Sequence, residues 1–435
     1  MKNYFGLAFV AMGLSAGFHP ATAQSLTFTS STISLSHPAD WLAVADINGD
    51  SYPDLVCSAG GATVWTNNRS GGFGLFTTLT VGAACLAVAD INGDGEPDLV
   101  CADYGSGPGY PGTLTVLTNN GHGRLTVNAT AAVGSMPTCV VAADLNGDGR
   151  LDLVCADWYW ALYVLINNGL GGFNSPSILN TGGYTSSVIA TDVDGDGRVD
   201  LISAKNLSTT LTVMTNSGSS FGFHAAPAVG TRPHGLAVAD VNGDGKVDLI
   251  SANEDGTLTV LTNDGSGNLA ASAAPTVGGT PVSVAAADIN GDGKVDLICA
   301  NWTGNALTVF TNDGSGNFGL NTMLSANDEP FYVVAADVNG DGKADLISAN
   351  VSNTLTVFTQ NIVPPPTLGI TSTAANTLVI SWSSDLAGFA LQTNSDLATT
   401  NWIPAGFPVA TADGTNQSVT IPLSANGNLF FRLKR

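Results

Sequence analysis

Seven short loops rich in aspartate carry the side chains best suited to chemistry in this chain of 435 residues. Each loop follows the pattern D-x-N-G-D-G-x-x-D, with side-chain oxygens at positions 1, 3, 5 and 9. Oxygens at alternating positions of a tight turn converge on one point, and about six to eight oxygens are the ligand set that calcium prefers. We therefore predict about seven calcium ions. The predicted ligands are Asp46, Asn48, Asp50, Asp54, Asp90, Asn92, Asp94, Asp98, Asp144, Asn146, Asp148, Asp152, Asp192, Asp194, Asp196, Asp200, Asp240, Asn242, Asp244, Asp248, Asp288, Asn290, Asp292, Asp296, Asp337, Asn339, Asp341 and Asp345.

The other loop positions fit a calcium site that is not an EF-hand. Glycine at position 6 permits a sharp turn, and only Ser51 departs from it. A backbone carbonyl at position 7 is a further candidate ligand. An EF-hand needs a bidentate glutamate at position 12. Position 12 is here occupied by Cys57, Cys101, Cys155, Ser203, Ser251, Cys299 and Ser348.

The charge of the chain is concentrated in these loops. The formal net charge is −22, yet charged residues make up only 11% of the sequence and most of the 35 acidic residues belong to the seven loops. Like charges this close repel one another, so an empty loop destabilises the fold. We therefore expect calcium to have a mainly structural role. With only 13 Lys and Arg residues, the chain is not expected to bind nucleic acid.

The loops mark a structural unit of about 48 residues that is repeated seven times. Within each unit, as in residues 282–318, the hydrophobic pattern predicts four short strands, which is the signature of a propeller blade. The last unit has only three strands before its proline-rich end, whereas residues 26–36 form a strand-like segment without a unit of its own. We predict an all-β, seven-bladed β-propeller closed by this N-terminal strand, which removes exposed sheet edges.

Segments outside the repeat suggest export and a second domain. Residues 1–23 contain Lys2, an apolar run and the small residues Ala21-Thr22-Ala23, the pattern of a secretory signal peptide. The run is too short to span a bilayer, so we expect a secreted, extracellular or cell-surface protein with no membrane-spanning segment. The predicted domains are the propeller (24–361), a proline-rich linker (362–367) and a small β-sandwich-like module (368–435), for which a fibronectin-like fold is one candidate.

The repeats resemble the FG-GAP, or VCBS-type, repeat of integrin α-subunit propellers and bacterial surface proteins. The resemblance covers roughly residues 26–361 and rests on the seven loops and on three Phe-Gly pairs, Phe73-Gly74, Phe221-Gly222 and Phe318-Gly319. It implies a seven-bladed propeller with calcium in the loop between the first two strands of a blade. It also implies adhesion or recognition, without naming a ligand.

Strand order places the metal loops and the more irregular connections at opposite ends of the blades. The irregular end carries most of the exposed aromatic candidates, which offer flat apolar area beside hydrogen-bonding groups. We expect an extracellular protein or glycan to bind there; the alternative is that Trp158 and Trp160 pack between blades. The candidate ligand-binding residues are Trp41, Tyr104, Trp158, Tyr159, Trp160, His234 and Trp302.

The remaining reactive residues do not suggest catalysis. Six cysteines in an exported chain fit either disulfides, such as Cys57 with Cys85, or buried thiols at positions that accept a small residue. The five histidines form no metal-spaced cluster, and no nucleophile or phosphate-binding motif is present. We expect a binding module and not an enzyme. The alternatives are the propeller part of an extracellular polysaccharide-acting enzyme and a purely structural cell-envelope protein.

Overall fold

The computed structural model describes residues 26–104, 111–326 and 329–361, together with seven strands after residue 368. The described residues form strands and turns and contain no helix. The chain divides into two compact units between Asn361 and Ile362. The predicted signal peptide (1–23) and linker (362–367) lie outside the described residues.

Seven sheets of four strands each form the first unit. The first strand of each blade lies beside the first strands of its two neighbours, so these strands form a closed ring around a central axis. The strands are β1 (Phe28–Ser34); in blade 1 β2 (Leu42–Ala45), β3 (Asp54–Ser58), β4 (Ala62–Asn67) and β5 (Phe73–Leu79); in blade 2 β6 (Cys85–Ala89), β7 (Asp98–Asp103), β8 (Gly112–Asn119) and β9 (Leu125–Val133); in blade 3 β10 (Pro137–Ala143), β11 (Asp152–Asp157), β12 (Ala161–Leu165) and β13 (Ser177–Asn180); in blade 4 β14 (Thr185–Thr191), β15 (Asp200–Lys205), β16 (Leu211–Asn216) and β17 (Phe221–Ala225); in blade 5 β18 (Pro233–Ala239), β19 (Asp248–Asn253), β20 (Thr257–Asn263) and β21 (Leu269–Ala273); in blade 6 β22 (Pro281–Ala287), β23 (Asp296–Asn301), β24 (Ala306–Asn312) and β25 (Phe318–Ser325); and in blade 7 β26 (Pro330–Ala336), β27 (Asp345–Asn350) and β28 (Thr354–Gln360).

Strand β1 completes blade 7, as predicted. It pairs antiparallel with β28 along its whole length, from Phe28 opposite Gln360 to Ser34 opposite Thr354. The seventh sheet therefore contains the N-terminal strand and the last three strands of the repeat. Closure by the two ends of the repeat leaves no blade with a missing outer strand.

The burial pattern follows from the position of each strand in its blade. The second strands are buried along almost their whole length, because neighbouring blades cover both of their faces. Outer strands such as β5 and β25 are largely exposed. The apolar core therefore lies between blades, in clusters that each join residues of adjacent sheets.

The six cysteines belong to this core. All six are buried free thiols, and no disulfide joins them. Cys57, Cys101, Cys155 and Cys299 lie on second strands, where other blades have serine. Burial raises the pKa of the Cys57 thiol to about 12, so these residues act as small apolar side chains.

The second unit contains two sheets in its described residues. One sheet has the strand order β29-β30-β34-β33 and the other β32-β31-β35. The buried side chains include Ile380, Trp382, Leu391 and Val419. The strands are β29 (Gly369–Ser372), β30 (Thr377–Ser383), β31 (Ala390–Asn394), β32 (Ile403–Pro404), β33 (Ala410–Thr411), β34 (Asn416–Pro422) and β35 (Phe430–Lys434).

Candidate metal centres and recognition face

All seven aspartate loops join the first strand of a blade to the second and therefore lie at one end of the propeller, called here the metal end. The turns between the third and fourth strands share this end. Ser51 adopts a φ of +70°, the left-handed conformation that the position-6 glycines adopt in the other blades. At position 4, Gly49 has a φ of +76°, and a Cβ there would lie 2.3 Å from the carbonyl oxygen of Gly121 in blade 2.

The position-1 carboxylate organises each loop. In blade 1, Oδ1 of Asp46 accepts hydrogen bonds from the backbone N–H groups of Gly49 (2.8 Å) and Asp50 (3.0 Å), and Oδ2 accepts one from Ser51 (2.7 Å). The contacts from positions 4 and 6 recur in all seven loops. The loop backbone thus wraps around one carboxylate.

Short-range hydrogen bonds to the loop backbone fix the side chains at positions 3 and 5. In blade 5, Oδ1 of Asn242 accepts the N–H of Asp244 (2.9 Å), and Oδ1 of Asp244 accepts the N–H of Lys246 (3.0 Å). The same pair of bonds is present in every blade. The side chains at these positions are therefore oriented before any ion binds.

The position-9 aspartate is fully buried in all seven blades. In blade 6, Oδ2 of Asp296 accepts the N–H of Ile289 (3.2 Å), and Oδ1 accepts the N–H of Asn312 (2.8 Å). Burial, together with the nearby carboxylates of Asp292 and Asp288, raises the pKa of Asp296 to about 7 despite these hydrogen bonds. A cation bound beside Asp296 would stabilise the ionised carboxylate and so offset both its burial and its repulsion by the neighbouring carboxylates.

Blade 4 shows that carboxylates converge. One carboxylate oxygen from each of Asp192, Asp194 and Asp200 lies within 4.8 Å of the others. In the other six blades, position 3 is asparagine and supplies an amide oxygen instead. Asp196, the fourth predicted ligand of this loop, lies outside the cluster, and its Oδ2 accepts a bond from Nη1 of Arg198 (2.6 Å).

An ion pair between positions 5 and 7 is present in four of the five blades that have a basic residue at position 7. Arg150 pairs with Asp148, Lys246 with Asp244 (3.8 Å) and Lys294 with Asp292 (3.8 Å). In blade 4 the structure therefore brings positions 1, 3 and 9 together, while position 5 lies outside this group and faces a basic side chain. Its role as a ligand stays a prediction.

An amide at the end of each third strand links the loops into a ring, and the sequence analysis did not identify it. Its Nδ2 donates to the backbone carbonyl at loop position 2 of the preceding blade, so each blade contacts its neighbour's loop. A recurrent Thr-Asn pair is the signal that marks it in five blades. The links are Asn67 to Val338, Asn119 to Ile47, Asn167 to Ile91, Asn216 to Leu145, Asn263 to Val193, Asn312 to Val241 and, with glutamine, Gln360 to Ile289.

The opposite end carries the predicted recognition residues, but two of them are packed inside. The half-buried Trp41 stacks on Tyr332 with ring centroids 4.7 Å apart and contacts core clusters of several blades. Nδ1 of His234 lies 2.9 Å from the carbonyl oxygen of Val282, and its ring contacts the edge of Phe331. Both side chains serve packing near the axis.

The other candidates lie at the surface. Tyr104, Tyr159, Trp160 and Trp302 are exposed, and Trp158 is half-buried. Trp158 and Trp160 both contact Tyr184, with ring centroids 5.4 and 5.7 Å apart. The sequence thus predicted Trp158, Tyr159 and Trp160 as ligand-binding residues on this turn. Tyr184 was not among the predicted ligand-binding residues, yet its ring contacts both tryptophans.

Comparison with known proteins places the repeat in a family. The model of the FG-GAP-like repeat matches six overlapping segments that run from residue 46 to residue 348, well over half of the chain. No curated protein matches the sequence. Among the residues that the structure describes, no helix has the length and apolarity that a bilayer crossing requires. The matched segments are 46–101, 90–155, 144–203, 192–251, 240–299 and 288–348.

Two solved structures share the fold at low identity, and a third is similar with a lower TM-score. BBS1N in complex with ARL6DN, soaked with lead, is 12% identical with a TM-score of 0.58 and covers 79% of this chain and 99% of that one. The same complex soaked with mercury is 11% identical with a TM-score of 0.57, covering 78% and 98%. A lectin of Agrocybe aegerita, solved for its specific recognition of non-reducing terminal N-acetylglucosamine, is 22% identical with a TM-score of 0.49, covering 73% and 87%.

The fold is that of a recognition or binding module in general, and repeats of this kind are typical of extracellular proteins. The seven blades, the seven loops between first and second strands, and the matched segments all indicate the same repeat. The chain belongs to the FG-GAP-like repeat family.

Proposed function

We propose that this protein is a secreted recognition propeller that binds about seven calcium ions in its aspartate loops and catalyses no reaction. The observation that supports the metal most strongly is the convergence of Asp192, Asp194 and Asp200 in blade 4. Carboxylate, amide and carbonyl oxygens are hard ligands, which suit calcium better than softer transition metals.

Electrostatics favours an ion in these loops. Two carboxylate oxygens no more than 4.8 Å apart repel by at least roughly 3 kcal/mol at an effective dielectric constant of about 20. A divalent cation replaces this repulsion by attraction. Residues at positions 1, 3 and 9 would hold the ion, and position 5 would join them if its contact with the basic residue at position 7 were exchanged for the metal.

The proposed role of the ion is to stabilise the ring. The position-9 aspartate ties the loop to the third strand of its own blade, as Asp200 does through the N–H of Asn216 (2.8 Å). The side chain of Asn216 donates in turn to the carbonyl of Leu145 in the loop of blade 3 (2.8 Å). An ion that orders one loop therefore also supports the contact with the neighbouring blade.

We propose that the partner, an extracellular protein or glycan, binds at the end opposite the metal end. The exposed aromatic side chains of Tyr104, Tyr159, Trp160 and Trp302 lie on turns at that end. Export would depend on the predicted signal peptide in residues 1–23.

Calorimetric titration of the metal-free mature chain with calcium tests the proposal. We expect about seven ions for the unaltered chain and about one fewer for Asp192→Ala, because that variant loses the carboxylate around which its loop closes. The matched control is Asp194→Asn, which gives blade 4 the asparagine of the other six loops and should keep the full number. Equal uptake by Asp192→Ala, or no uptake by the unaltered chain, would contradict the proposal.

A further inference from the structure

Three aromatic rings form an exposed cluster where blades 3 and 4 meet, at the end opposite the metal loops. Trp160 is 47% exposed and its ring stands at 87° to that of Tyr184. The ring of Trp158 is inclined to that of Tyr184 by 37°. The neighbouring Tyr159 is 49% exposed. The cluster therefore presents aromatic surfaces at an angle to each other, all open to solvent at least in part.

The backbone holds these rings in place. The carbonyl of Trp160 accepts the N–H of Thr181 (2.9 Å), and the N–H of Trp158 donates to the carbonyl of Met136 (2.9 Å). The carbonyl of Tyr184 accepts the N–H of Asn206 (2.7 Å). A binding surface on fixed turns loses little conformational freedom when a ligand binds.

The backbone of Trp160 adopts a left-handed conformation that is unfavourable for tryptophan. Its φ is +73°, whereas the equivalent last residue of the turn is Gly256, Asn305 or Asn353 in other blades. Glycine and asparagine tolerate this left-handed region, but a bulky side chain is disfavoured there. Strain of this kind is retained where the side chain has another use, and the exposed indole of Trp160 is the feature that glycine or asparagine would lack.

Polar groups beside the rings are free to bind. Within the described part of the chain, the indole N–H groups of Trp158 and Trp160 and the hydroxyl of Tyr184 have no hydrogen-bond partner. The stem of Lys205 lies against Gly183, next to Tyr184, and Lys205 makes no ion pair with any described residue. The surface thus combines apolar faces with several hydrogen-bond donors.

We propose that Trp158, Trp160 and Tyr184 form a carbohydrate-binding site that takes one or two pyranose rings. This inference rests on the proposed recognition function and names its ligand class. A pyranose presents C–H groups on its faces and hydroxyls at its edges, which match aromatic rings bordered by donors. A stable protein partner needs about 800 Å² on each side, far more than these few rings supply. Nucleotides are disfavoured because the chain has a net charge of −22, and Lys205 is the one cation placed beside the rings among the residues that the structure describes.

The test measures binding of the calcium-loaded mature chain to hexasaccharides of glucose, mannose, galactose and N-acetylglucosamine on an array, followed by titration with the best-bound sugar. We expect Trp160→Gly to lose at least tenfold in affinity while its melting temperature stays equal or rises, because glycine relieves the positive φ. Tyr184→Ala should lose at least fivefold. The matched control Phe223→Ala, which removes an aromatic side chain that is 70% exposed on the outer strand β17 of blade 4, should bind as the unaltered chain does.

Three results would overturn the site. These are no retention of any hexasaccharide by the unaltered chain, unchanged affinity of Trp160→Gly, and an equal loss in Phe223→Ala. Calcium uptake is measured on the same samples, so failure of the metal proposal is distinguished from failure of the sugar site. If the unchanged affinity of Trp160→Gly came with a lower melting temperature, the ring of Trp160 would serve only packing.

Discussion

The amide that links neighbouring blades offers a sharp test of how the ring holds together. In Asn263, Nδ2 donates to the carbonyls of Val193 in blade 4 (2.8 Å) and Val247 in blade 5 (3.0 Å). Its Oδ1 accepts the N–H of Gly265 (3.0 Å). Asn263 is buried, so water cannot easily replace these contacts in Asn263→Ala.

The expected cost follows from three lost hydrogen bonds. Each contributes about 1 kcal/mol net, and an acceptor left buried without a partner adds to the cost. We therefore expect Asn263→Ala to lower the free energy of unfolding by about 3 kcal/mol. The matched control is Asn268→Ala on the same turn, whose amide bonds only to the exposed Asp264 (2.8 Å) and which should cost less than about 0.5 kcal/mol.

Urea unfolding at saturating calcium, followed by tryptophan fluorescence, measures both variants against the unaltered chain. Asn263→Gln should lose less than Asn263→Ala, because Gln360 makes the equivalent link in blade 7. If Asn263→Ala were no less stable than Asn268→Ala, the amide ring would not be a source of stability, and the coupling between loops inferred from it would be wrong.

Three further predictions concern single residues. Ser51→Gly should stabilise the chain by up to about 1 kcal/mol in urea unfolding, because Ser51 has a φ of +70° that glycine adopts without strain. Trp41→Ala should cost about 3 to 5 kcal/mol in the same assay and leave sugar binding intact, because Trp41 packs on Tyr332 near the axis; a loss of sugar binding with full stability would instead assign it to recognition. Burial lowers the pKa of His234 below its usual 6.5, so the unfolded chain binds the proton more tightly, and stability should fall as the pH drops below about 6.5. His234→Gln should remove part of this pH dependence, measured by melting between pH 5 and 8, and an identical profile would refute the assignment.

Most of the propeller could be predicted from the sequence, because the residues that specify each loop and strand lie close together in the chain and recur in every repeat. Aspartates and glycines at fixed spacing determine the loops, and alternating apolar residues determine the strands around them. The closing strand was predictable for a different reason: blade 7 lacked an outer strand and residues 26–36 lacked a blade. The family match later confirmed the repeat, and pairing of Phe28 with Gln360 confirmed the closure.

The contacts between blades could not be read from the sequence in the same way. The link from Asn119 to the carbonyl of Ile47 joins residues 72 positions apart, and one asparagine looks like any other until the fold brings it to its acceptor. Trp41 and Trp160 illustrate the same limit for aromatic residues. Both are tryptophans at the irregular end, yet one packs near the axis and the other lies open beside Tyr184, and only the three-dimensional arrangement separates them.

The measurement that tests the central claim most directly is the melting temperature of the mature chain with calcium and after its removal by EDTA, with bound calcium counted in parallel. Each site stabilises the fold by about 2.7 kcal/mol when free calcium is 100 times its Kd. We expect about seven bound ions and a melting temperature lower by more than about 10 °C after their removal. An unchanged melting temperature with no bound calcium would contradict the claim that these loops are metal centres that hold the ring together.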